Sequence, residues 1–153
     1  MMMDFTGKTA AVTGSSGIGL GAALHLARSG ARVFLAGIDA GLNNEAAALA
    51  AGEGLDMTLH QVDVADEDSV RSWAGQIAGE TDVLHALVNA AGQQTYGTVE
   101  DTGPADWDHS IAVNLRSCYL TSHVLYPLLK AAGGASVVHV GSVQGHNNQN
   151  NVL

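Results

Sequence analysis

Short apolar runs recur along this chain, each separated from the next by a stretch long enough for one helix, and few folds bury such runs together. The first, Lys8 to Thr13 (KTAAVT), ends in a Gly/Ser cluster and leads into an Ala- and Leu-rich helix from about Gly17 to Ser29, closed by Gly30. Val33 to Ala36 reads as the second strand, Leu42 to Ala51 as the second helix and Met57 to Val62 as the third strand. Runs that are apolar throughout, rather than alternating, describe strands covered on both faces. Strand and helix in alternation then predict an α/β fold with a doubly wound parallel sheet.

The second half continues the pattern. Asp66, Glu67 and Asp68 crowd the start of a third helix, where carboxylates meet the positive end of the helix dipole, and Val70, Trp73 and Ile77 fall on one face. Val83 to Val88 is a fourth strand that runs into Asn89-Ala90-Ala91-Gly92. A long helix is expected from about Pro104 to Ala132, stopped by Gly133 and Gly134, and then a fifth strand, Ser136 to Val140, ending at Gly141-Ser142. The remainder is polar and Asn-rich (QGHNNQNN), and with no repeat or linker the whole of residues 1–153 is expected to form one domain.

Charge and cysteine content narrow the function. Six Lys and Arg against fifteen Asp and Glu give a formal charge of −9, which opposes a nucleic-acid partner. Cys118 is the sole cysteine, so no internal disulfide is available. The start MMMDFTGK has no basic region followed by an apolar run, and no segment approaches the ~20 apolar residues of a membrane span, so a cytoplasmic protein without membrane contact is expected. The seven His have no zinc-type spacing and no metal is expected. Cys118 is expected to be a small buried side chain. Ser142 lacks the Gly-x-Ser-x-Gly elbow of a hydrolase nucleophile, because Gly145 falls one place too late.

The stretch TGSSGIG, Thr13 to Gly19, lies between the first strand and the first helix. Glycines there let the backbone turn sharply and approach a pyrophosphate, whose charge is met by the free N–H groups and dipole of the helix. No Lys-Ser or Lys-Thr follows, so a Walker-type triphosphate loop is excluded.

Taken with Asn89-Ala90-Ala91-Gly92 after the fourth strand, Asn114 in the fourth helix and Ser142 after the fifth strand, the set resembles the short-chain dehydrogenase/reductase family over essentially the entire chain. The resemblance implies a Rossmann-type sheet, apparently truncated after the fifth strand, and an NAD(P)-dependent oxidoreductase that passes hydride between a nicotinamide cofactor and a small alcohol or carbonyl substrate. It implies that Gly14, Ser15, Ser16, Gly17, Ile18 and Gly19 bind the cofactor, with Asp39, Asp63, Val64 and the run Asn89, Ala90, Ala91 and Gly92. Asn89 and its neighbours would also steady the sheet, Asn114 would hold a water in a proton relay, and Ser142 would hydrogen-bond the substrate oxygen.

Two departures from the family pattern bear on the cofactor. The loop usually reads Gly, three residues, Gly, one residue, Gly; here only Ser15 and Ser16 separate Gly14 from Gly17, which should remove one N–H from the phosphate cradle or shift the start of the helix. At the end of the second strand Gly37 occupies the position of the acid that holds the adenosine ribose, Ile38 is not basic, and Asp39 comes two residues late. NAD or NADP would serve, with NAD mildly favoured by the carboxylate and the lack of a cation.

The family's catalytic Tyr-x-x-x-Lys follows its serine, whereas YPLLK, Tyr126 to Lys130, precedes Ser142. At ~1.5 Å per residue Tyr126 sits roughly 18 Å down the helix from Asn114. It is expected to pack with Leu128 and Leu129, with Pro127 kinking the helix and Lys130 favouring its C-terminal end. The resemblance therefore implies that the catalytic pair and the C-terminal part of the fold are absent from these residues, leaving them inactive. The alternative is a non-catalytic dinucleotide-binding or interaction module. The fifth strand is left as an apolar edge and Ile111, Leu115, Leu120 and Leu125 without a partner helix, so a homo-oligomer is expected.

Overall fold

The computed structural model describes residues 3–146, so the Asn-rich tail from 147 onward lies outside the described residues. Its sheet is parallel throughout, in the order β3 (Met57–Gln61), β2 (Arg32–Gly37), β1 (Thr9–Thr13), β4 (Ala86–Asn89), β5 (Ser136–His139). The chain steps outward from β1 to β3, then returns to the other side of β1 for β4. That reversal opens a crevice above the carboxyl ends of β1 and β4, the defining feature of a doubly wound, Rossmann-type sheet.

Both faces of the sheet are covered. On one, Ala10, Val12, Val33 and Leu35 pack with Ala23, Ala27 and Ala46 of α1 (Gly17–Arg28) and α2 (Ala40–Gly52), small residues that let helix and strand backbones approach closely. On the other, Ala11, Phe34 and Leu87 meet Val70, Trp73 and Ile77 of α3 (Glu67–Ala78) and Leu120, Leu125 and Leu129 of α5 (Ser117–Ala131). Alternate residues of β1 and β2 thus enter different cores, which is why their sequences are apolar without interruption.

The helix starts follow local chemistry. Asp66 caps α3 by accepting from the N–H groups of Asp68 and Ser69 at 2.8 and 3.3 Å. Asp39 caps α2 in the same way, accepting from Leu42 N at 2.9 Å, and so α2 begins at Ala40, two residues before the apolar pattern suggests. α4 (Pro104–Ile111) carries proline in its first turn and passes into α5 through a π-helical turn, Ala112–Arg116, that contains Asn114. The expected single helix is therefore continuous but distorted, and the distortion lies at Asn114 while α5 runs on through Pro127.

Side chains of this helical run divide differently from the expectation. Leu120 and Leu125 are buried against the sheet and α3, whereas Leu115 is 64% exposed. Leu115 belongs to the π-helical turn, whereas Leu120 and Leu125 lie on α5. Tyr126 does not pack; it is 57% exposed, with Lys130 Nζ 6.0 Å from its ring centroid. Cys118 is half-buried rather than buried.

β5 is an edge, exposed at every residue; Val137, Val138 and Val140 lie open, and Val140 shares a shallow hollow with Leu115, Tyr119 and Tyr126. The 153-residue chain in isolation is expected to self-associate through this region. Light scattering over a dilution series checks it: a monodisperse monomer at high micromolar concentration refutes the expectation, and Val138→Lys weakens the assembly if the edge strand carries it.

Candidate functional site

The crevice is built where β1 and β4 end. Thr13 is buried at the end of β1, and its Oγ1 accepts from the N–H groups of Ala90 and Ala91 at 3.1 and 3.0 Å, tying the turn after β4 to the glycine loop. Gly14, at φ 97°, brings that loop against Ala90, where an added Cβ would come within 3.1 Å of the carbonyl oxygen. The loop is held from the other side by Gly14 N, which donates to Ala36 O at 2.7 Å.

The loop turns with both Gly14 and Gly17 at positive φ, the latter at 52°, conformations that side-chain-bearing residues adopt only with strain. Helix α1 starts at Gly17; Ser16 is its N-cap residue but makes no side-chain cap, and no acid stands in the first turn, so its leading N–H groups have no side-chain partner there. Gly19 packs the helix onto the strand end: a Cβ there would lie 2.1 Å from Gly14 O. Ser15 is buried and turned over Gly37.

Two adjoining hollows result. The first is bounded by Gly14, Ser15 and Ser16 on one side and by Gly37, Ile38, Asp39 and Leu42 on another. Val62, Asp63 and Val64 form its far wall, and Ala90 to Gln93 its near one. Of the residues expected to bind a cofactor, Gly17, Ile18, Gly19 and Asn89 do not line it; the first three begin α1 and Ile18 is 67% exposed. Asn89 is buried beneath, its Oδ1 accepting from Thr121 Oγ1 at 2.7 Å and its Nδ2 donating to His139 Nδ1 at 3.1 Å, which joins β4 to α5 and to the edge strand. Asp39 lines the hollow with its carboxylate already engaged as the cap of α2, and Asp63 Oδ1 accepts from Ala65 N at 2.9 Å.

The second hollow shares Ala90 to Gln93 with the first and adds Gln94, Asn114, Val140, Gly141, Ser142 and Gln144. Ser142 and Asn114, far apart in sequence, meet there. The Ser142 hydroxyl oxygen accepts from Gln144 N at 3.2 Å at the head of the 3-10 turn Val143–Gly145, leaving its O–H free to donate. Asn114 reaches across to the turn: Oδ1 accepts from Gln93 N and Nδ2 donates to Gln93 O, both at 2.8 Å, with Ser110 Oγ 3.3 Å from Nδ2. Its side chain thus fixes the backbone of the turn that separates the hollows.

Around the rim, Arg116 donates to Ala65 O at 3.1 Å and approaches Glu67, whose carboxylate is held below its usual range mainly by the hydrogen bond from Arg71. Tyr126 and Lys130 line neither hollow. Among the described residues no cluster of His, Cys, Asp or Glu could hold a metal ion, and no helix is long and apolar enough to cross a membrane. Sequence reasoning missed Thr13, Gln93 and Asn43. Thr13 was within reach, since a hydroxyl at the buried end of a strand needs a partner.

The family model described as "short chain dehydrogenase" matches residues 8–153. D-beta-hydroxybutyrate dehydrogenase of Cupriavidus necator is 36% identical over 143 residues, 91% of this chain and 54% of that protein. D-threitol dehydrogenase of Mycolicibacterium smegmatis is 39% identical over 141 residues, 89% of this chain and 53% of that protein. The chain thus spans about half the length of the curated relatives it matches. A metagenomic short-chain oxidoreductase solved in complex with NADP superposes with a TM-score of 0.88 at 31% identity, covering 95% of this chain and 66% of that one. By the extent of the model match and the fold it shares with that structure, the chain belongs to the short-chain dehydrogenase family.

Proposed function

We propose that these residues are the cofactor-binding part of an NAD(P)-dependent oxidoreductase that interconverts an alcohol and a carbonyl. The observation that carries this reading is the pair of adjoining hollows: one sits over a glycine loop and an uncapped helix start, the other holds Ser142, and the turn Ala90 to Gln93 belongs to both. A dinucleotide laid across that turn would have its pyrophosphate at Gly14 to Ser16 and the start of α1, where a Cβ at Gly14 would close the space. Its adenosine would lie toward Asp39, Asp63 and Val64. Two carboxylates and no Lys or Arg line that end among the described residues, which favours NAD over a cofactor bearing a further phosphate.

When bound, the nicotinamide supplies the hydride chemistry. Ser142 would donate a hydrogen bond to the substrate oxygen, and Asn114 would keep the intervening turn rigid through Gln93. The general acid/base would be a Tyr-x-x-x-Lys beyond these residues. One observation favours the second reading, a non-catalytic module, for the 153 residues taken alone: their single Tyr-x-x-x-Lys, Tyr126 to Lys130, stands outside both hollows. The expected result is that this chain binds NAD, measured by calorimetry, without turning over secondary alcohols or ketones. A full-length protein carrying it reduces NAD with such an alcohol. Turnover by the 153 residues, abolished by Ser142→Ala, would overturn the assignment of the acid/base to a later segment.

A further inference from the structure

Gly37 ends β2 with a backbone outside the positive-φ region, so its conformation does not require glycine. What requires it is occupancy: a Cβ at Gly37 would lie 2.0 Å from Ser15 Oγ and 2.3 Å from Asn43 Oδ1. Ser15 is 6% exposed and Asn43 only 7%, so both oxygens are largely withdrawn from water. The Asn43 amide is oriented by its other end, where Nδ2 donates to Gly37 O at 2.9 Å and approaches His60 O at 3.5 Å. Its Oδ1 is left without a hydrogen-bond partner, facing the space it shares with the Ser15 hydroxyl.

A buried acceptor without a donor is costly, and a small rotation of Ser15 lets its O–H serve. The proton of Ser15 is then spent inward on Asn43, and the lone pairs of its oxygen face the hollow that Ser15 lines. An outward acceptor takes a hydrogen bond from a ribose hydroxyl and repels the oxygens of a phosphate ester. Resting on the dinucleotide reading above, we propose that Ser15, oriented by Asn43, is the group that receives the adenosine ribose where a carboxylate at the end of β2 is missing, and that this pair selects NAD against NADP. The two-residue loop and Gly37 are then one device: the short loop drops Ser15 into the volume that a side chain at position 37 would fill.

Calorimetric titration of the 153-residue chain with NAD and with NADP tests this. Unmutated protein should bind NAD the more tightly. Ser15→Ala should weaken NAD about fivefold to tenfold, the loss of one neutral hydrogen bond, and leave NADP within about twofold, so that the ratio of the two affinities collapses. Asn43→Leu should move the ratio in the same direction with Ser15 intact, because the hydroxyl proton is released to face the cofactor. Thermal melts establish that each variant is folded, and if Asn43→Leu is not, Ser15→Ala decides alone. Equal losses for both dinucleotides, or none for either, would mean that Ser15 only packs and would overturn the proposal. Binding of neither dinucleotide by unmutated protein would overturn the dinucleotide reading, and the proposal with it.

Discussion

Gly19→Ala is expected to cost at least about 3 kcal/mol of stability and to abolish measurable dinucleotide binding, whereas Gly21→Ala, two residues further along the same helix, is expected to stabilise by about 0.5 to 1 kcal/mol. At Gly19 a Cβ would lie 2.1 Å from Gly14 O, 2.7 Å from Thr13 O and 2.9 Å from Gly14 C. These are backbone atoms, so no rotamer change relieves the overlap. Nor can the strand end retreat, since Gly14 N is bonded to Ala36 O and the Thr13 hydroxyl accepts from two N–H groups of the next loop. The helix has to move off the sheet, spoiling the packing of Ala23 and Ala27 and displacing the N–H groups that would face a pyrophosphate. At Gly21 a Cβ meets nothing within 4 Å, and the change only removes the entropy cost of a glycine inside a helix. Urea melts of both variants check the sign as well as the size; similar midpoints would show that α1 does not approach β1 as closely as described.

The same contrast separates what could be read from the sequence from what could not. The strands were legible because burial on both faces leaves uninterrupted apolar runs, and the start of α3 because three successive acids have few other uses. Asp39 is legible as an acid near the end of β2, but its second task is not: it stands just before Ala40-Gly41-Leu42, where one of its carboxylate oxygens caps α2 while the residue lines the hollow. The grouping of Ser15, Gly37 and Asn43 could not be read, because no local pattern relates a loop, a strand end and a helix interior. Only the register Thr13↔Ala36 and the close-packed α1 and α2 bring them together. The π turn at Ala112–Arg116 also leaves no signature in residue type; it carries Asn114, whose two bonds go to Gln93, a loop residue on another segment.

In a full-length protein that carries these residues, Ser142→Ala is expected to lower kcat by about 100-fold while leaving the affinity for NAD unchanged. The size follows from the role: a preorganised donor aimed at an oxygen whose charge grows in the transition state stabilises it by roughly 3 kcal/mol, with little effect on the ground state. The separation follows from position, because Ser142 lines the hollow shared with Asn114 and Gln144 and is absent from the one between Ser15, Asp39 and Asp63. Alanine also removes the cap on the 3-10 turn, where the serine oxygen accepts from Gln144 N, so a slow variant could reflect a displaced turn instead of a lost donor. Ser142→Asp distinguishes the two, since it keeps an acceptor for Gln144 N and provides no donor when ionised. If the donor matters it is as slow as alanine, and if only the cap matters it recovers activity. Ser142→Thr, with acceptor and donor both present, should retain most of the rate. Steady-state kinetics for the three variants, with calorimetry of NAD binding, give the answer: a kcat unchanged in Ser142→Ala, or restored in Ser142→Asp, removes the Ser142 hydroxyl from the chemistry and leaves it a turn residue.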